Sequence, residues 1–91
     1  MKFITAIRSG TTAGHEGITH VRWLDSSTER AKTYTTASVA KWLEQSGSNV
    51  VKVAGEDSSS FVAVRERNGH KYLQTHANKQ WNDNLLSLPL F

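Results

Sequence analysis

Two patterns of apolar positions occur along the chain, and they predict different elements. Residues 2–8 are rich in β-branched and aromatic types, and residues 18–24 alternate between an apolar face with Val21 and Trp23 and a polar face. Such alternation is typical of strands. A loop with three glycines, residues 9–17, separates the two segments, so we expect them to pair as an antiparallel hairpin.

The apolar spacing changes near the middle of the chain. In residues 37–45, apolar side chains including Trp42 recur at i, i+3 and i+4, which is the spacing of one helix face. We therefore predict one short helix there. Thr35 or Thr36 is its expected N-cap, and Gly47 is expected to end it.

The second half of the chain returns to strand patterns. Residues 49–54, 61–67 and 70–76 have strong β character and predict three more strands. The dipeptide Asn68-Gly69 joins the last two, and this pair is a strong signal for a two-residue hairpin turn.

Polar segments separate these elements. We predict turns or loops for residues 25–32, 55–60 and 78–83, and an apolar C-terminal tail for residues 84–91. The expected fold is α+β: an antiparallel sheet of about five strands in the order β-β-α-β-β-β, with one helix packed on one face.

Composition narrows the possible functions. The chain has 91 residues, no Cys and a formal net charge of +3, so residues 1–91 are predicted to form a single small domain. Without cysteine there is no thiolate zinc site, iron–sulfur cluster or cysteine nucleophile. We also expect a cytoplasmic protein with no membrane partner, because no window has the apolar length of a signal peptide or a membrane span.

The Asn68-Gly69 turn fixes the pairing of its two strands and so the composition of each face. Arg65 lies opposite Tyr72 in this register and can stack on it. Basic and aromatic groups alternate on this face, which favours a planar anionic ligand, either a nucleotide-like small molecule or a nucleic acid. The simpler alternative is the solvated side of a half-buried sheet. The predicted ligand-binding residues are Arg65, Arg67, Tyr72, His70 and His76, joined by Arg22 and His20 if the second strand lies alongside.

The C-terminal segment supports a second hypothesis, a protein-interaction or structural module. Its large apolar side chains must cover the chain's own core or pack on another copy. A domain this small buries a modest core, so a homo-oligomer is expected, with a dimer favoured. The predicted interface residues are Trp81, Leu85, Leu86, Leu88 and Phe91.

Enzymatic chemistry has little support in the sequence. A Ser–His–Asp hydrolase is the third hypothesis, but no serine lies in a Gly-x-Ser-x-Gly motif. His70 and His76 are about 20 Å apart along a strand, too far to bind one metal ion. We predict no catalytic residue, metal or cofactor.

Several segments together resemble a known family over nearly the whole chain, from Phe3 to Pro89. They are Ile18-Thr19-His20-Val21-Arg22-Trp23, Trp42-Leu43-Glu44-Gln45-Ser46-Gly47, Gly69-His70-Lys71-Tyr72-Leu73-Gln74-Thr75 and Asp83-Asn84-Leu85-Leu86-Ser87-Leu88-Pro89. The chain resembles the domain-of-unknown-function family numbered 3892. The resemblance implies a compact cytoplasmic bacterial domain, with carriage on prophages as a further expectation. It implies no activity, cofactor or catalytic residue.

Overall fold

The computed structural model describes residues 1–12, 14–54, 60–77 and 79–91. In these ranges the chain forms one helix and one sheet, which confirms the α+β class, and the sheet has seven strands where about five were predicted. Within the same ranges, no helical segment combines the length and apolarity needed to span a bilayer. The strands are β1 (Lys2–Ser9), β2 (Ile18–Asp25), β3 (Arg30–Thr35), β4 (Lys52–Val53), β5 (Phe61–Arg67), β6 (His70–Ala77) and β7 (Gln80–Asn82); the helix is α1 (Thr36–Gln45), and 3-10 turns cover His15–Gly17 and Asn84–Ser87.

The two additional strands lie where turns were predicted. β3 replaces part of the loop expected at residues 25–32, and β7 lies inside the turn expected at residues 78–83. Every residue of β3 is exposed, so its sequence shows no apolar alternation that could have revealed a strand. The loop predicted for residues 55–60 lies outside the described residues apart from Ser60.

β1 is the third strand of the sheet, whose strand order is β3-β2-β1-β4-β5-β6-β7. It pairs antiparallel with β2, which confirms the predicted hairpin, and parallel with β4. The other neighbouring strands are antiparallel. A bulge between Ile4 and Ala6 interrupts β1, and bulges bend strands. The turn His15–Gly17 after β1 packs against β6.

The β5–β6 hairpin has the register that its turn sequence predicts. Asn68 and Gly69 have φ angles of 53° and 79°, both in the left-handed region that two-residue hairpin turns require. Arg65 consequently lies opposite Tyr72, and Glu66 lies opposite Lys71.

The helix α1 packs on one face of the sheet, as predicted. Its N-cap is Thr35, whose Oγ1 accepts a hydrogen bond from the Ser38 backbone N–H at 3.2 Å. Trp42 meets Trp23 of β2 edge-on, with ring centroids 5.2 Å apart. At the other end of the helix, Glu44 forms an ion pair with Lys71 at 2.9 Å.

The core lies between the sheet and the helix. Its buried apolar side chains come from β1, β2, α1, β4, β5, β6 and the 3-10 turn near the C-terminus. The tail thus belongs partly to the core. The main members are Ile4, Ile7, Ile18, Val21, Trp23, Val39, Ala40, Val51, Val53, Val62, Leu73 and Leu85.

Candidate functional site

The strand pairs place one side chain from every strand in a single row across the sheet. Paired residues point to the same face, and this row is on the face opposite the one that Trp23 presents to α1. We call that face the open face. The cross-sheet row consists, in strand order, of Ala31, Leu24, Phe3, Lys52, Phe61, His76 and Trp81.

Aromatic rings touch one another along half of the cross-sheet row. His76 lies between Phe61 and Trp81, with ring centroids 6.4 Å and 5.5 Å away. The Nζ of Lys52 lies over the Phe61 ring at 4.9 Å from its centroid. Trp81 is 46% exposed and the other three are half-buried, so ring surface remains accessible for stacking.

Arg65 joins this group from farther along β5, four residues after Phe61 and on the same face. Its guanidinium carbon lies 4.4 Å from the centroid of Trp81, and its Nη1 donates to Gln74 Oε1 at 2.9 Å. Tyr72 lies opposite Arg65 as predicted, and the ring recorded under the Arg65 guanidinium is that of Trp81. The guanidinium leans toward Trp81 because Gln74 and β7 provide its hydrogen-bond acceptor and its ring.

A buried polar cluster holds β7, and therefore Trp81, in place. Thr75 is fully buried and donates through Oγ1 to Asn82 of β7. The buried Ser60 Oγ accepts from the side-chain amides of Asn82, at 3.2 Å, and Asn84, at 2.7 Å. Hydrogen-bonded polar groups in a low-dielectric interior fix geometry strongly, so Trp81 sits on a rigid support.

A second basic group occupies the β2 side of the open face. The guanidinium carbons of Arg8 and Arg22 each lie 4.7 Å from the ring centroid of Phe91. Arg8 Nε also donates to the main-chain oxygen of Phe91 at 3.2 Å. On the same strand as Arg22, His20 Nδ1 and Thr19 Oγ1 are 2.9 Å apart and share a hydrogen bond. The tail therefore already covers part of the surface predicted around Arg22.

Two predicted residues lie at the turn end of the β5–β6 hairpin. Arg67 has a side chain that is 71% exposed and makes a 3.5 Å ion pair with Glu16. His70 is also exposed. The structure thus brings Arg65 and His76 together at Trp81, places Arg67 and His70 at the hairpin end, and leaves Arg22 on β2, with β1 and β4 between it and β5.

Sequence reasoning missed Phe3, Lys52 and Arg8 and assigned Trp81 to an interface. Phe3 meets the row only through the parallel pairing of β1 with β4, for which the sequence carries no turn signal. For Trp81 a signal existed. Ala77 pairs with Gln80 across two residues, so the spacing matches a second tight hairpin turn.

The predicted interface residues have different surroundings. Leu85 is fully buried in the core of its own chain, and Leu86 and Leu88 pack against that core. Phe91 lies between two arginines, and Trp81 is half exposed. The most exposed apolar side chain of the tail is Leu90, at 71%.

Ionisable groups elsewhere form no recognisable metal site. Among the described residues, no group of three or more His, Cys, Asp or Glu side chains could hold a metal ion. What the open face offers chemically is ring surface for stacking together with positive charge for an anion.

Comparisons with known proteins identify the family of this chain. No curated protein and no solved structure is similar enough to the chain to be matched. One family model matches residues 3–89 of the 91-residue chain, and its description is "Protein of unknown function (DUF3892)". The chain therefore belongs to the DUF3892 family.

Proposed function

We propose that this protein is a non-enzymatic binding domain whose open face takes a planar anionic ligand, and that the ligand is a single strand of nucleic acid. The observation that carries the proposal is the run of three adjacent rings in the cross-sheet row, Phe61, His76 and Trp81, with the cation Lys52 over Phe61 at one end and the cation Arg65 over Trp81 at the other. Aromatic faces stack on bases of any sequence, and each stacked base contributes about 1–3 kcal/mol.

The length of the row favours a strand over a single nucleotide. From Phe3 to Trp81 the row crosses five neighbouring strands. Four spacings of about 4.8 Å make a surface of about 19 Å. That length accommodates several consecutive bases, with Lys52 and Arg65 placed to contact the phosphates between them. Since phosphate contacts release counterions, binding should weaken as salt concentration rises.

A titration tests this proposal directly. Fluorescence anisotropy of a labelled oligothymidylate of about eight nucleotides at low salt should show binding to the wild type. Trp81→Ala should weaken binding about tenfold, and Arg65→Ala should both weaken it and flatten its salt dependence.

Arg30→Ala is the matched control for Arg65→Ala. Arg30 pairs with Asp25 in register on the helix side of β3, away from the open face, so its loss should leave affinity unchanged. The proposal is wrong if the wild type does not bind at low salt, or if Arg30→Ala and Arg65→Ala weaken binding equally.

Self-association through the C-terminal segment is the second candidate. Leu90 is 71% exposed beside β1, and a large apolar side chain at such a position fits burial against a second copy. A dimer would also enlarge the small core that 91 residues can bury. Cytoplasmic location and carriage on prophages stay predictions of the sequence resemblance.

A further inference from the structure

A cavity of about 490 Å³ lies between α1 and the β2–β3 hairpin, on the opposite side of the sheet from the open face. Alternate residues of β3 point into it, because Arg30 pairs with Asp25 and Lys32 pairs with Trp23. The helix contributes Trp42 from the other side. Pockets for small molecules usually fall between about 300 and 1,000 Å³, so this volume suits a small ligand.

Three aromatic rings form the walls of this hairpin–helix pocket. Trp23 is nearly perpendicular to Trp42, at 86° and 5.2 Å, and to Tyr34, at 75° and 5.6 Å. Trp23 is only 8% exposed, whereas Tyr34 is 36% exposed at the edge strand. Flat aromatic walls favour a planar ring, which can stack or meet them edge-on.

The charges at the mouth of the pocket are mostly positive. Lys2, Arg30 and Lys32 line it together with a single carboxylate, Asp25. That carboxylate already accepts hydrogen bonds from the hydroxyl and backbone N–H of Ser27, at 2.6 and 3.0 Å, and lies 3.9 Å from Lys2. The Ser27 hydrogen bonds also hold the pKa of Asp25 below its ordinary value, so it stays charged.

Arg30 and Lys32 are the other two cations of the pocket. Within the described part of the chain, neither has a carboxylate within 4.0 Å. Both belong to an edge strand whose residues are all exposed, so a ligand can reach them from solvent.

We propose that the hairpin–helix pocket binds a small planar aromatic molecule with one anionic group, its ring between Trp42 and Tyr34 and its anion at Arg30 and Lys32. The shared chemistry of the ligand is an aromatic carboxylate or an aromatic phosphate ester. This site is independent of the open face, because the two lie on opposite sides of the sheet.

The three tryptophans provide the reporters for a test by NMR. Naphthoate and naphthyl phosphate should each be titrated into the full chain while the indole N–H signals are followed. Trp23 and Trp42 should shift and Trp81 should not; the tighter of the two probes identifies the anionic group. The neutral naphthalenemethanol should bind about tenfold more weakly, because it cannot engage the two cations.

Variants separate the ring and charge contributions. Tyr34→Ala and Lys32→Gln should each weaken probe binding about tenfold, whereas Thr33→Ala, on the same strand but on the opposite face, should not. The proposal is overturned if neither probe shifts Trp23 and Trp42, or if the neutral alcohol binds as tightly as the anions. An oligonucleotide on the open face should shift Trp81 instead, so failure of one proposal is distinguishable from failure of the other.

Discussion

His15 shows how one side chain can tie the stability of this protein to pH. It lies in the turn against β6, its side chain is 11% exposed, and its Nε2 has no hydrogen-bond partner among the described residues. Burial lowers the pKa of His15 below its ordinary value. The carboxylate of Asp83, 3.9 Å away, raises this pKa and the charge of Arg65 lowers it, but burial has the largest effect.

A lowered histidine pKa means that acid favours the unfolded chain. Below the unfolded pKa, the unfolded state binds a proton at His15 that the folded state resists. The free energy of unfolding should therefore be highest above about pH 6.5 and should fall as the pH drops below that value. Chemical denaturation at several pH values measures this dependence. In the variant His15→Gln, the free energy of unfolding should fall less toward acid pH than it does in the wild type.

His70→Gln, at an exposed position, is the matched control for loss of an imidazole. If the free energy of unfolding of His15→Gln falls below about pH 6.5 as steeply as that of the wild type, burial of His15 is not the cause of the decrease.

At the scale of elements, the connection between β1 and β2 depends on a close backbone approach. The N–H of Gly10 donates to the carbonyl of Gly17 at 2.8 Å, which closes the loop. A Cβ built on Gly17 would lie 1.6 Å from the carbonyl oxygen of Thr12. The turn His15–Gly17, which packs against β6, therefore has no room for a side chain at Gly17.

Substitution of glycine by alanine tests this fit. Gly17→Ala should lower the free energy of unfolding by about 1–3 kcal/mol or more, since backbone must move to accept the methyl group. Gly47, just after α1, has nothing within 4 Å of its Cβ position. Gly47→Ala should change stability by less than about 1 kcal/mol. Equal effects of the two substitutions in denaturant titrations would contradict the proposed crowding.

At the scale of the whole molecule, the C-terminal tail closes the gap left beside β1. β4 pairs with β1 only near Phe3 and Ile4. Farther along, the N–H of Ile7 donates to the carbonyl of Pro89 at 2.9 Å, and the N–H of Phe91 donates to the carbonyl of Ile7 at 3.1 Å. The tail thus continues the hydrogen bonding of β1 beyond β4 and also contributes to the core.

Removal of residues 84–91 should consequently unfold the domain. Loss of Leu85 alone, which is fully buried, should cost about 2–5 kcal/mol, comparable with the stability of a small domain. Thermal melts followed by circular dichroism should show no cooperative transition for the truncated chain.

Leu90→Asp is the control, because its side chain is 71% exposed and makes no part of the core. It should remain folded, and sedimentation would show whether it changes the oligomeric state. A truncated chain that still melts cooperatively would mean that the tail contributes little to the fold.

The sequence alone determined features whose causes are local. The Asn68-Gly69 turn fixed the β5–β6 register, because two residues with positive φ permit only one pairing of the strands that they join. The face of Arg65 followed from that register. The helix was predictable from its apolar spacing and its threonine cap.

Only the tertiary structure decided how these parts meet. The parallel pair of β1 and β4 joins segments about 50 residues apart, and no short turn marks such a contact in a sequence. Without it, Phe3 could not be placed in one row with Lys52 and Phe61. The cross-sheet row and the hairpin–helix pocket are therefore products of long-range packing, whereas the faces of β2, β5 and β6 followed from local alternation and from the hairpin register.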